Sequence, residues 1–578
     1  MKNNFDQLIL SLLENKVNSP QALEVGKKKW LRGKRSGKLP KNYQLLKAYN
    51  QLIKAKKIKP FGGLKSALQA KPVRTLSGVT PLAVLTKPYP CPGECLYCPT
   101  QENIPKSYLR DEPAVLRARQ FDFDAQKQVR YRLRVFQLMG HQVAKVELII
   151  LGGSFSAYRR KYRQEFLKNC FEGCNGQKAL TLKRAQQENE KGKRRIIGIT
   201  VETRPDLVDQ KEIKFLRQLG VTRVELGAQT IDEKVLKTNK RGHGIGEITR
   251  ATRMLKEAGF KVCYHLMPGL PGSSLKNDLR VFKKVFADAR FRPDFLKIYP
   301  CVVLKEAPLY KVWLQKRYQP LTETEIIKLL VRVKSFLPEY VRINRLGRDI
   351  PVGNVIAGYR HSHIRQLVKK ELERKGLVCR CIRCREIKNQ GAKILAKGQL
   401  SSGQKNTDLK LKITKYQASG GWEYFLQYVD SDNRLYALLR LRLPGKGRKT
   451  YELRTLRGLK MKSKDTPGMA GCREAEAMTF PDVDESESET GVIYKVLKNT
   501  ALVRELHTYG VSLKVGEKKD QASQHQGLGK KLLARAEQIT RKAGLTQIAV
   551  ISGIGAREYY RKLGYQLKQT YMVKKLAY

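Results

Sequence analysis

Three closely spaced cysteines are the strongest chemical signal in this chain. Cys91, Cys95 and Cys98 stand in the segment CPGECLYC, with the spacing C-x3-C-x2-C. A 4Fe-4S cluster normally takes four cysteine thiolates, so three leave one iron open to a small molecule. Structural zinc and three buried thiols are the alternatives, but zinc sites usually close with four ligands from paired motifs. No such partner motif lies nearby in the sequence, and the cysteines therefore favour an iron-sulfur cluster.

A glycine-rich loop near the carboxyl terminus is the second signal. The segment QHQGLGKK begins at Gln524 and precedes an amphipathic stretch. Because glycines carry no side chain, backbone N–H groups and a positive helix N-terminus can face a pyrophosphate there. The candidate residues for this phosphate cradle are Gln524, Gly527, Leu528, Gly529 and Lys530.

A third group of cysteines predicts a structural metal site. Cys379, Cys381 and Cys384 form C-x-C-x2-C, which offers three soft ligands for zinc if a fourth comes from elsewhere. His361, His363 and Cys472 are candidates for the fourth ligand. The alternative is a set of free thiols in a basic loop. Disulfides are not expected, because six of the eleven cysteines sit in two tight clusters, as in metal sites of reducing compartments.

The elements that must position the first cluster form a repeated pattern over residues 76–345. Near-continuous apolar runs alternate with amphipathic stretches, which indicates parallel strands covered by helices. Six runs predict an incomplete (β/α)6 barrel, and ligands of such folds collect at the carboxyl ends of the strands. The predicted strands are 82–86, 145–151, 195–201, 222–228, 260–267 and 294–299.

Small and polar residues follow these predicted strands, at the same end of the barrel as the cysteine loop. A Gly-Gly pair there lets the backbone approach a ligand closely. The candidate binding residues at this end are Gly152, Gly153, Ser154, Glu202, Arg204 and Gln229.

The phosphate cradle lies in a second predicted domain over residues 421–578. Its pattern is β-β-β-α-β-α-β, interrupted by an acidic stretch at 465–490 that we interpret as a mobile insertion. Tyr559 and Tyr560 are neighbours on its last helix and point about 100° apart. We expect Tyr560 on the ligand side and Tyr559 in the core. An ordinary aromatic core pair is the alternative.

Charge indicates the partner. Lys and Arg number 115 against 52 Asp and Glu, a formal net charge of +63, and such an excess favours polyanions. Residues 1–75 hold 18 Lys/Arg and three acids, with apolar residues at helical spacing. They predict a basic helical module that binds nucleic-acid phosphates.

No apolar run approaches the ~20 residues that span a bilayer, so we expect a cytoplasmic protein. Residues 346–420 are interpreted as a linker that carries the third cysteine group.

Two known families share these motifs. The C-x3-C-x2-C loop resembles that of the radical-SAM enzymes, in which S-adenosylmethionine chelates the open iron, and the Q-x-x-G-x-G loop resembles that of the GNAT acetyltransferases. Nearly the whole chain resembles the catalytic subunit of Elongator and its stand-alone prokaryotic relatives, the tRNA uridine-34 carboxymethyluridine synthases. The stretches that carry this resemblance include CLYCP at 95–99, GITVETRPD at 198–206, TNKRGHG at 238–244, QHQGLGKKLL at 524–533 and IAVISGIGAREYYRKLGY at 548–565.

The resemblance implies a fold and a reaction. The fold is α/β: a partial radical-SAM barrel fused to a C-terminal GNAT α+β domain, with the basic helical module in front. A 5'-deoxyadenosyl radical abstracts hydrogen from the methyl group of acetyl-CoA, and the resulting carbon radical adds to C5 of the wobble uridine. Loss of an electron and of the C5 proton restores the pyrimidine, and hydrolysis of the thioester then leaves a carboxymethyl group. The implied partners are the tRNA anticodon stem-loop and an electron donor. A homodimer stays open, and other Elongator subunits are not expected, because the short C-x3-C spacing resembles prokaryotic members.

The resemblance also assigns roles to individual residues. It implies catalytic roles for Lys297, Tyr299 and Tyr560, and an acetyl-CoA contact for Lys145. Lys297 and Tyr299 alternate along one strand, so both face the barrel interior. The stretch that pairs with the pantetheine arm is Glu505, Leu506, His507 and Thr508.

Two other functions compete with this one. A protein lysine acetyltransferase with a structural cluster would need no S-adenosylmethionine, although so basic a chain offers no evident acidic surface for lysine-rich tails. A non-catalytic RNA-binding scaffold would keep the two cofactor sites as relics, which the intact cysteine and glycine motifs disfavour.

Overall fold

A computed structural model describes residues 5–32, 39–69, 75, 78–361, 363–387, 409–445, 494–509 and 527–577. Gln524, Cys472 and the acidic stretch 465–490 lie outside the described residues. Within the described part of the chain, no helix is long and apolar enough to cross a membrane.

Four helices form the amino-terminal module. The predicted helical spacing is confirmed, since Leu8, Ile9 and Leu12 of the first helix are buried against Leu45 and Tyr49 of the third. The module therefore has an apolar core of its own. The helices are α1 (Asp6–Glu14), α2 (Pro20–Arg32), α3 (Asn42–Lys54) and α4 (Gly62–Leu68).

Seven parallel strands form the barrel sheet, in the order β1-β2-β3-β4-β5-β6-β8. The six predicted strands are confirmed. The seventh strand, β8, was missed because its sequence RINRL is short and polar, and the predicted boundary at 345 cuts through it. The strands are β1 (Val79–Leu85), β2 (Lys145–Leu151), β3 (Arg195–Thr203), β4 (Arg223–Gln229), β5 (Lys261–Leu266), β6 (Phe295–Ile298) and β8 (Arg342–Leu346).

Helices cover the outer face of this sheet. Alternate strand residues such as Val224, Val262 and Leu296 are fully buried in the core that these helices complete. The inner face carries charged side chains instead, so the two faces of the sheet differ sharply. The helices from the barrel are α5 (Pro113–Arg119), α6 (Ala125–Leu138), α7 (Arg160–Asn175), α8 (Leu182–Lys191), α9 (Gln210–Gln218), α10 (Glu233–Thr238), α11 (Ile245–Glu257), α12 (Leu275–Ala287), α13 (Leu309–Leu314) and α14 (Glu323–Phe336).

The segment predicted as a linker, 346–420, is largely structured. A short strand in it, β9 (Val355–Ala357), pairs with β7 (Val303–Leu304). Two helices follow, α15 (Ile364–Arg374) and α16 (Ile382–Arg385), and a strand, β10 (Lys410–Ala418), ends the segment. The linker interpretation is therefore wrong for these residues, whose apolar side chains Ile364, Val368 and Leu372 pack into the barrel core.

The carboxyl-terminal domain is built on a second seven-stranded sheet, in the order β10-β11-β12-β13-β14-β16-β15. The predicted pattern β-β-β-α-β-α-β is confirmed up to the last helix, but β10 adds a strand in front, and the single strand predicted at the end is a pair of antiparallel strands. The elements are β11 (Gly421–Val429), β12 (Leu435–Leu443), β13 (Ala501–Thr508), α17 (Leu528–Lys542), β14 (Gln547–Val550), α18 (Arg557–Arg561), β15 (Gln566–Lys568) and β16 (Tyr571–Lys575).

The two sheets meet at the amino end of the barrel strands. Leu502 and Ile551 of the carboxyl-terminal domain belong to the same continuous core as Val221 and Phe260 of the barrel. A Cβ atom on Gly259, in the turn before β5, would lie 2.8 Å from Leu502. The carboxyl ends of the barrel strands lie on the opposite side.

Candidate active site

The cysteine loop lies just beyond the carboxyl end of β1. Cys95 is 6 % exposed, whereas Cys91 and Cys98 are partly exposed. Nη1 of Arg241 donates a hydrogen bond to Sγ of Cys95 over 3.0 Å, and Sγ of Cys91 lies 3.9 Å from Oγ of Ser154. The Arg241 guanidinium beside Cys95 suits thiolates that hold an iron-sulfur cluster. Burial, and then the neighbouring Cys95, raise the pKa of the Cys98 thiol to about 12, so a metal must displace its proton.

The two glycines after β2 lie beside this loop in conformations that require glycine. Gly152 has φ +128°, and a Cβ there would lie 1.9 Å from Oγ1 of Thr86. Gly153 has φ +92°, and its Cβ would lie 3.2 Å from the carbonyl oxygen of Lys106. The backbone at the barrel mouth is therefore kept free of side chains, as the sequence predicted for close approach of a ligand.

Several buried polar atoms around the loop have no hydrogen-bond partner within the described residues. They are Nη1 of Arg204, Oε1 of Gln229 and Oγ1 of Thr203. Gln229 also adopts φ +67°, a left-handed conformation that costs energy for a residue other than glycine. Buried polar groups are normally paired, so these atoms fit a polar ligand. The residues present therefore fit a cluster with a bound amino-acid ligand.

Lys297 is held between two carboxylates inside the barrel. Its Nζ donates to Oε1 of Glu202 over 2.9 Å and also contacts Oε2 of Glu225. Burial opposes the charged form of Lys297, but Glu202 and Glu225 outweigh it and raise the pKa of this amine well above its usual value. Lys297 is therefore an ammonium at every physiological pH and can serve as a fixed donor rather than a base.

Sequence reasoning found Glu202 and Tyr299 beside Lys297 but missed two other neighbours, Glu225 and His265. Glu225 accepts from Nε2 of His265 over 2.9 Å, and the ring of His265 meets that of Tyr299 edge to face at 5.5 Å between centroids. Glu225 follows Arg223 at an alternate position of β4, and His265 follows Lys261 at alternate positions of β5, so each strand carries polar residues along one face. That alternation is the signal that could have found them.

The charged inner face continues toward the amino end of the strands. Arg223 lies 3.7 Å from Glu225 and 2.8 Å from Glu147. Burial alone would raise the pKa of Glu147, but Arg223 and other cations, His507 of β13 among them, hold it below its usual value. Charged side chains therefore line the barrel from Lys297 to β13, roughly the 20 Å length of a seven-residue strand.

Lys145 lies at the β13 end of this inner face. It begins β2 on the same side as Glu147 and is half-buried. Burial lowers the pKa of its amine, and the nearby Arg195 adds to this effect. An anionic ligand would relieve both effects.

β13 and α17 together form an open cradle. β13 pairs in parallel with β14 at Ala501, Leu502 and Val503, and no strand neighbour on that side continues the pairing among the described residues. The backbone of Glu505, Leu506, His507 and Thr508 is paired on the other side, with β12. Their free edge can pair with amide groups of an extended ligand, as an added strand would.

The glycine loop begins α17 beside this edge. Gly527 has φ +69°, and a Cβ there would meet nothing within 4 Å. A Cβ on Gly529 would lie 3.7 Å from Cγ2 of Thr508 and 3.1 Å from the hydroxyl of Tyr559. Leu528 is buried in the domain core, and Lys530 is exposed on the first turn. The helix N-terminus and the open strand edge therefore lie together.

The two tyrosines of α18 are oriented differently from our expectation. Tyr560 is 6 % exposed and packs in the core of the carboxyl-terminal domain, whereas Tyr559 is 40 % exposed and lies beside Gly529. The expected orientation is therefore wrong for both side chains. Tyr560 takes the core position, because its ring packs against Tyr565, and this leaves Tyr559 on the side of the glycine loop. The catalytic role of Tyr560 stays a prediction.

The third cysteine group is brought together as a metal site requires. The sulfur atoms of Cys379, Cys381 and Cys384 lie within 4.8 Å of one another, and Nζ of Lys334 is 3.2 Å from Cys379. His361 instead contacts Glu323 at 2.7 Å and the ring of His363 at 5.3 Å. Among the described residues, neither histidine joins the sulfur atoms, so the fourth ligand stays open.

Comparisons with known proteins agree with this architecture. The sequence model of the radical SAM superfamily matches residues 89–283, and the sequence model of the Radical_SAM C-terminal domain matches residues 293–374. A tRNA uridine(34) acetyltransferase of Dehalococcoides mccartyi is 43% identical over 87% of this chain and 99% of its own length. Elongator complex protein 3 of Homo sapiens is 34% identical over 89% of this chain and 87% of its own length.

A solved structure adds the fold. The archaeal Methanocaldococcus infernus Elp3 with an N-terminal deletion (1-46) superposes with a TM-score of 0.68 at 37% identity, and the match covers 87% of this chain and all of that one. The identity and coverage of these relatives exceed what a shared fold alone requires. The chain therefore belongs to the family of the tRNA uridine(34) acetyltransferases and Elongator complex protein 3.

Proposed function

We propose that this protein uses S-adenosylmethionine and acetyl-CoA to place a carboxymethyl group on C5 of the wobble uridine of tRNA. The observation that carries the proposal is the charged inner face of the barrel. Lys297, Glu225 and Arg223 form a chain of ion pairs along this face, between the strand ends that carry the cysteine loop and the strand ends that pack against β13. Two sites that share one interior can pass a reactive group between them.

Cys91, Cys95 and Cys98 would hold a 4Fe-4S cluster, and Gly152 and Gly153 would admit the methionine part of S-adenosylmethionine beside it. When bound, this pair supplies a one-electron cleavage that yields a carbon radical able to take hydrogen from a methyl group. The interior must keep water from that radical. Its outer wall of buried strand and helix side chains provides such a barrier.

Acetyl-CoA would bind along β13. The backbone of Glu505, Leu506, His507 and Thr508 would pair with the pantetheine arm, and the start of α17 at Gly527, Leu528, Gly529 and Lys530 would bind the pyrophosphate. Lys145 would meet anionic groups of the same ligand from the barrel side. This arrangement directs the thioester into the barrel.

Lys297 and Tyr299 would orient the reacting groups. The Lys297 ammonium is fixed by Glu202 and Glu225, so it can donate to a carbonyl oxygen of uracil or of the thioester without giving up its proton. Tyr299 adds a phenol on the same face, next to His265. Donors fixed before binding stabilise developing charge best.

The basic amino-terminal module would bind the phosphates of the anticodon stem-loop, consistent with the net charge of +63. Zinc would occupy the site of Cys379, Cys381 and Cys384, where the Lys334 ammonium offsets thiolate charge. A separate reductant would supply the electron to the cluster at the open barrel mouth.

The test is nucleoside mass spectrometry of tRNA incubated anaerobically with reconstituted protein, S-adenosylmethionine and labelled acetyl-CoA. We expect labelled 5-carboxymethyluridine from the wild type and none from the triple variant Cys91→Ala, Cys95→Ala, Cys98→Ala. Cys174→Ala is the control, because this cysteine is buried in α7 away from the loop. Label on protein lysines without S-adenosylmethionine would instead identify a lysine acetyltransferase.

A further inference from the structure

A buried arginine contacts the cysteine loop from a segment to which no role has been assigned. Arg241 follows α10 in the stretch TNKRGHG and is 5 % exposed. Its Nη1 donates to Sγ of Cys95 over 3.0 Å. Its Nη2 donates to the carbonyl oxygen of Gly227 over 2.5 Å and contacts Nε2 of His243 at 2.8 Å. Three contacts therefore fix the guanidinium against the sulfur atom.

A second buried arginine supports the first. Arg204 is 4 % exposed and donates through Nη2 to the carbonyl oxygen of Arg241 over 2.7 Å. Its other side is held by Asp206 at 3.0 Å. A Cβ on Gly93 would lie 2.0 Å from Nη1 of Arg204, so this guanidinium packs directly on the loop between Cys91 and Cys95.

The charge balance of this pair is incomplete without a ligand. Two guanidinium groups lie together beneath the loop, and Asp206 is the carboxylate that pairs with Arg204. Nη1 of Arg204 has no hydrogen-bond partner within the described residues. Burying charge is costly unless opposite charge and hydrogen bonds compensate. A cluster with three thiolates would supply negative charge at this place.

Such contacts change the energy of a cluster as well as its position. Reduction adds one electron, so the reduced cluster carries one more negative charge than the oxidised cluster. A hydrogen bond to a ligating sulfur and a nearby positive charge therefore stabilise the reduced form more and raise the reduction potential. The cluster must accept its electron before S-adenosylmethionine can be cleaved, and a higher potential makes that step easier.

We propose that Arg241 is a positioning residue that binds the Cys95 sulfur and raises the reduction potential of the 4Fe-4S cluster, with Arg204 holding it in place. The inference rests on the proposed function, because it requires a cluster on Cys91, Cys95 and Cys98. It also explains why two arginines are buried beneath a loop that otherwise needs only three cysteines.

The first test is a redox titration of reconstituted protein without S-adenosylmethionine, followed by electron paramagnetic resonance of the reduced cluster. In Arg241→Gln we expect the midpoint potential to fall by about 59 mV or more, which is a tenfold loss in the one-electron reduction equilibrium. Arg241→Lys keeps the charge and should fall less. Arg332→Gln removes an exposed arginine from α14 and should leave the potential unchanged.

The iron and acid-labile sulfide content separates the possible failures. A wild type that assembles no 4Fe-4S cluster would refute the proposed function. A full cluster in Arg241→Gln with the wild-type potential would refute only the present inference.

A measurement on the wild type decides the question if the variants assemble no cluster. Protein labelled with ¹⁵N in its arginine side chains should show a hyperfine coupling between a guanidinium nitrogen and the reduced cluster in pulsed electron paramagnetic resonance. Arg332→Gln should keep this coupling. A labelled wild type with a reduced cluster but no such coupling would overturn the assignment of Arg241.

Discussion

Buried charges are compensated differently at the amino and carboxyl ends of the barrel sheet. At the amino end, Arg504 of β13 donates to both Asp294 and Glu423, each at 3.0 Å, and to the carbonyl oxygen of Phe260 at 2.6 Å. At the carboxyl end, Arg204 and Gln229 keep buried atoms without a partner in the described structure. Buried nitrogen atoms without a partner occur at both ends, since Nε of Arg504 is one of them. The ends differ in their carboxylates: Arg504 has Asp294 and Glu423, whereas Asp206 is the carboxylate beside the buried pair Arg204 and Arg241.

The difference separates charges that stabilise the fold from polar groups that would bind a ligand. Where two buried charges are paired, removing one leaves the other buried without a partner, which lowers the stability of the fold. Where polar atoms lack protein partners, the folded chain already bears that cost. Substitutions at the amino end should therefore lower stability, whereas those at the carboxyl end should lower ligand binding more than stability.

The largest expected effect is at the amino end. Arg504→Met would leave Asp294 and Glu423 buried without their main cation, and we expect a loss of about 3–5 kcal/mol in the free energy of unfolding. Calorimetric unfolding temperatures measure it. Arg290→Met, which removes an exposed arginine paired with Asp288, is the control and should change the temperature little. Equal temperatures for Arg504→Met and wild type would contradict the distinction.

Gly152→Ala probes the carboxyl end through the backbone. The positive φ and the contact with Thr86 should cost about 1–3 kcal/mol in local strain, and the shifted loop should weaken binding of S-adenosylmethionine. Equilibrium dialysis with the reconstituted protein measures the binding. Gly176→Ala, at a helix end with open space for a Cβ but also a positive φ, controls for strain alone. Equal binding by the two variants would show that Gly152 has no part in the ligand site.

The pH dependence of stability should distinguish two buried lysines. Burial lowers the pKa of Lys256 to about 8, although Asp294 partly offsets it. An unfolded lysine has a pKa of about 10.4, so between these values the unfolded chain binds more protons. Stability from this group therefore rises with pH, by up to ~1.4 kcal/mol per unit.

Unfolding of Lys256→Met and wild type should be compared from pH 8 to pH 10. The variant should lack part of the rise, whereas Lys328→Met, at an exposed position of α14, should keep it. Lys297 differs, because its raised pKa keeps it charged in this range. A wild type that shows no extra gain over Lys256→Met would refute the lowered pKa.

The smallest expected change is at Gln229. Gln229→Gly removes both the unpaired Oε1 and the left-handed strain, so stability should stay within about 1 kcal/mol of the wild type. Binding of S-adenosylmethionine should nevertheless weaken. A marked fall in the unfolding temperature with unchanged binding would place Gln229 in the support of the fold instead.

The sequence predicted most of the barrel because its strands are apolar runs that only a buried parallel sheet explains. It missed β8 and β10, whose polar residues hide the strand pattern and whose places depend on neighbouring strands. The glycines after β2 were recognisable, since the positive φ of Gly152 and Gly153 disfavours any other residue. Glu225, His265 and Arg241 were not assigned. The sequence does not show which side chains a single polar residue contacts, and only the fold places these three beside Lys297 or Cys95.

The shared core between the two sheets limits how this protein can be divided. Leu502, Ile551 and Tyr571 are buried in a core that continues into the barrel, and the hydroxyl of Tyr571 donates to the carbonyl oxygen of Ala258 over 2.8 Å. A carboxyl-terminal fragment made alone would present these side chains to water and tend to aggregate. We expect the carboxyl-terminal domain to be exchangeable between relatives only when the barrel turns that pack against it are exchanged as well.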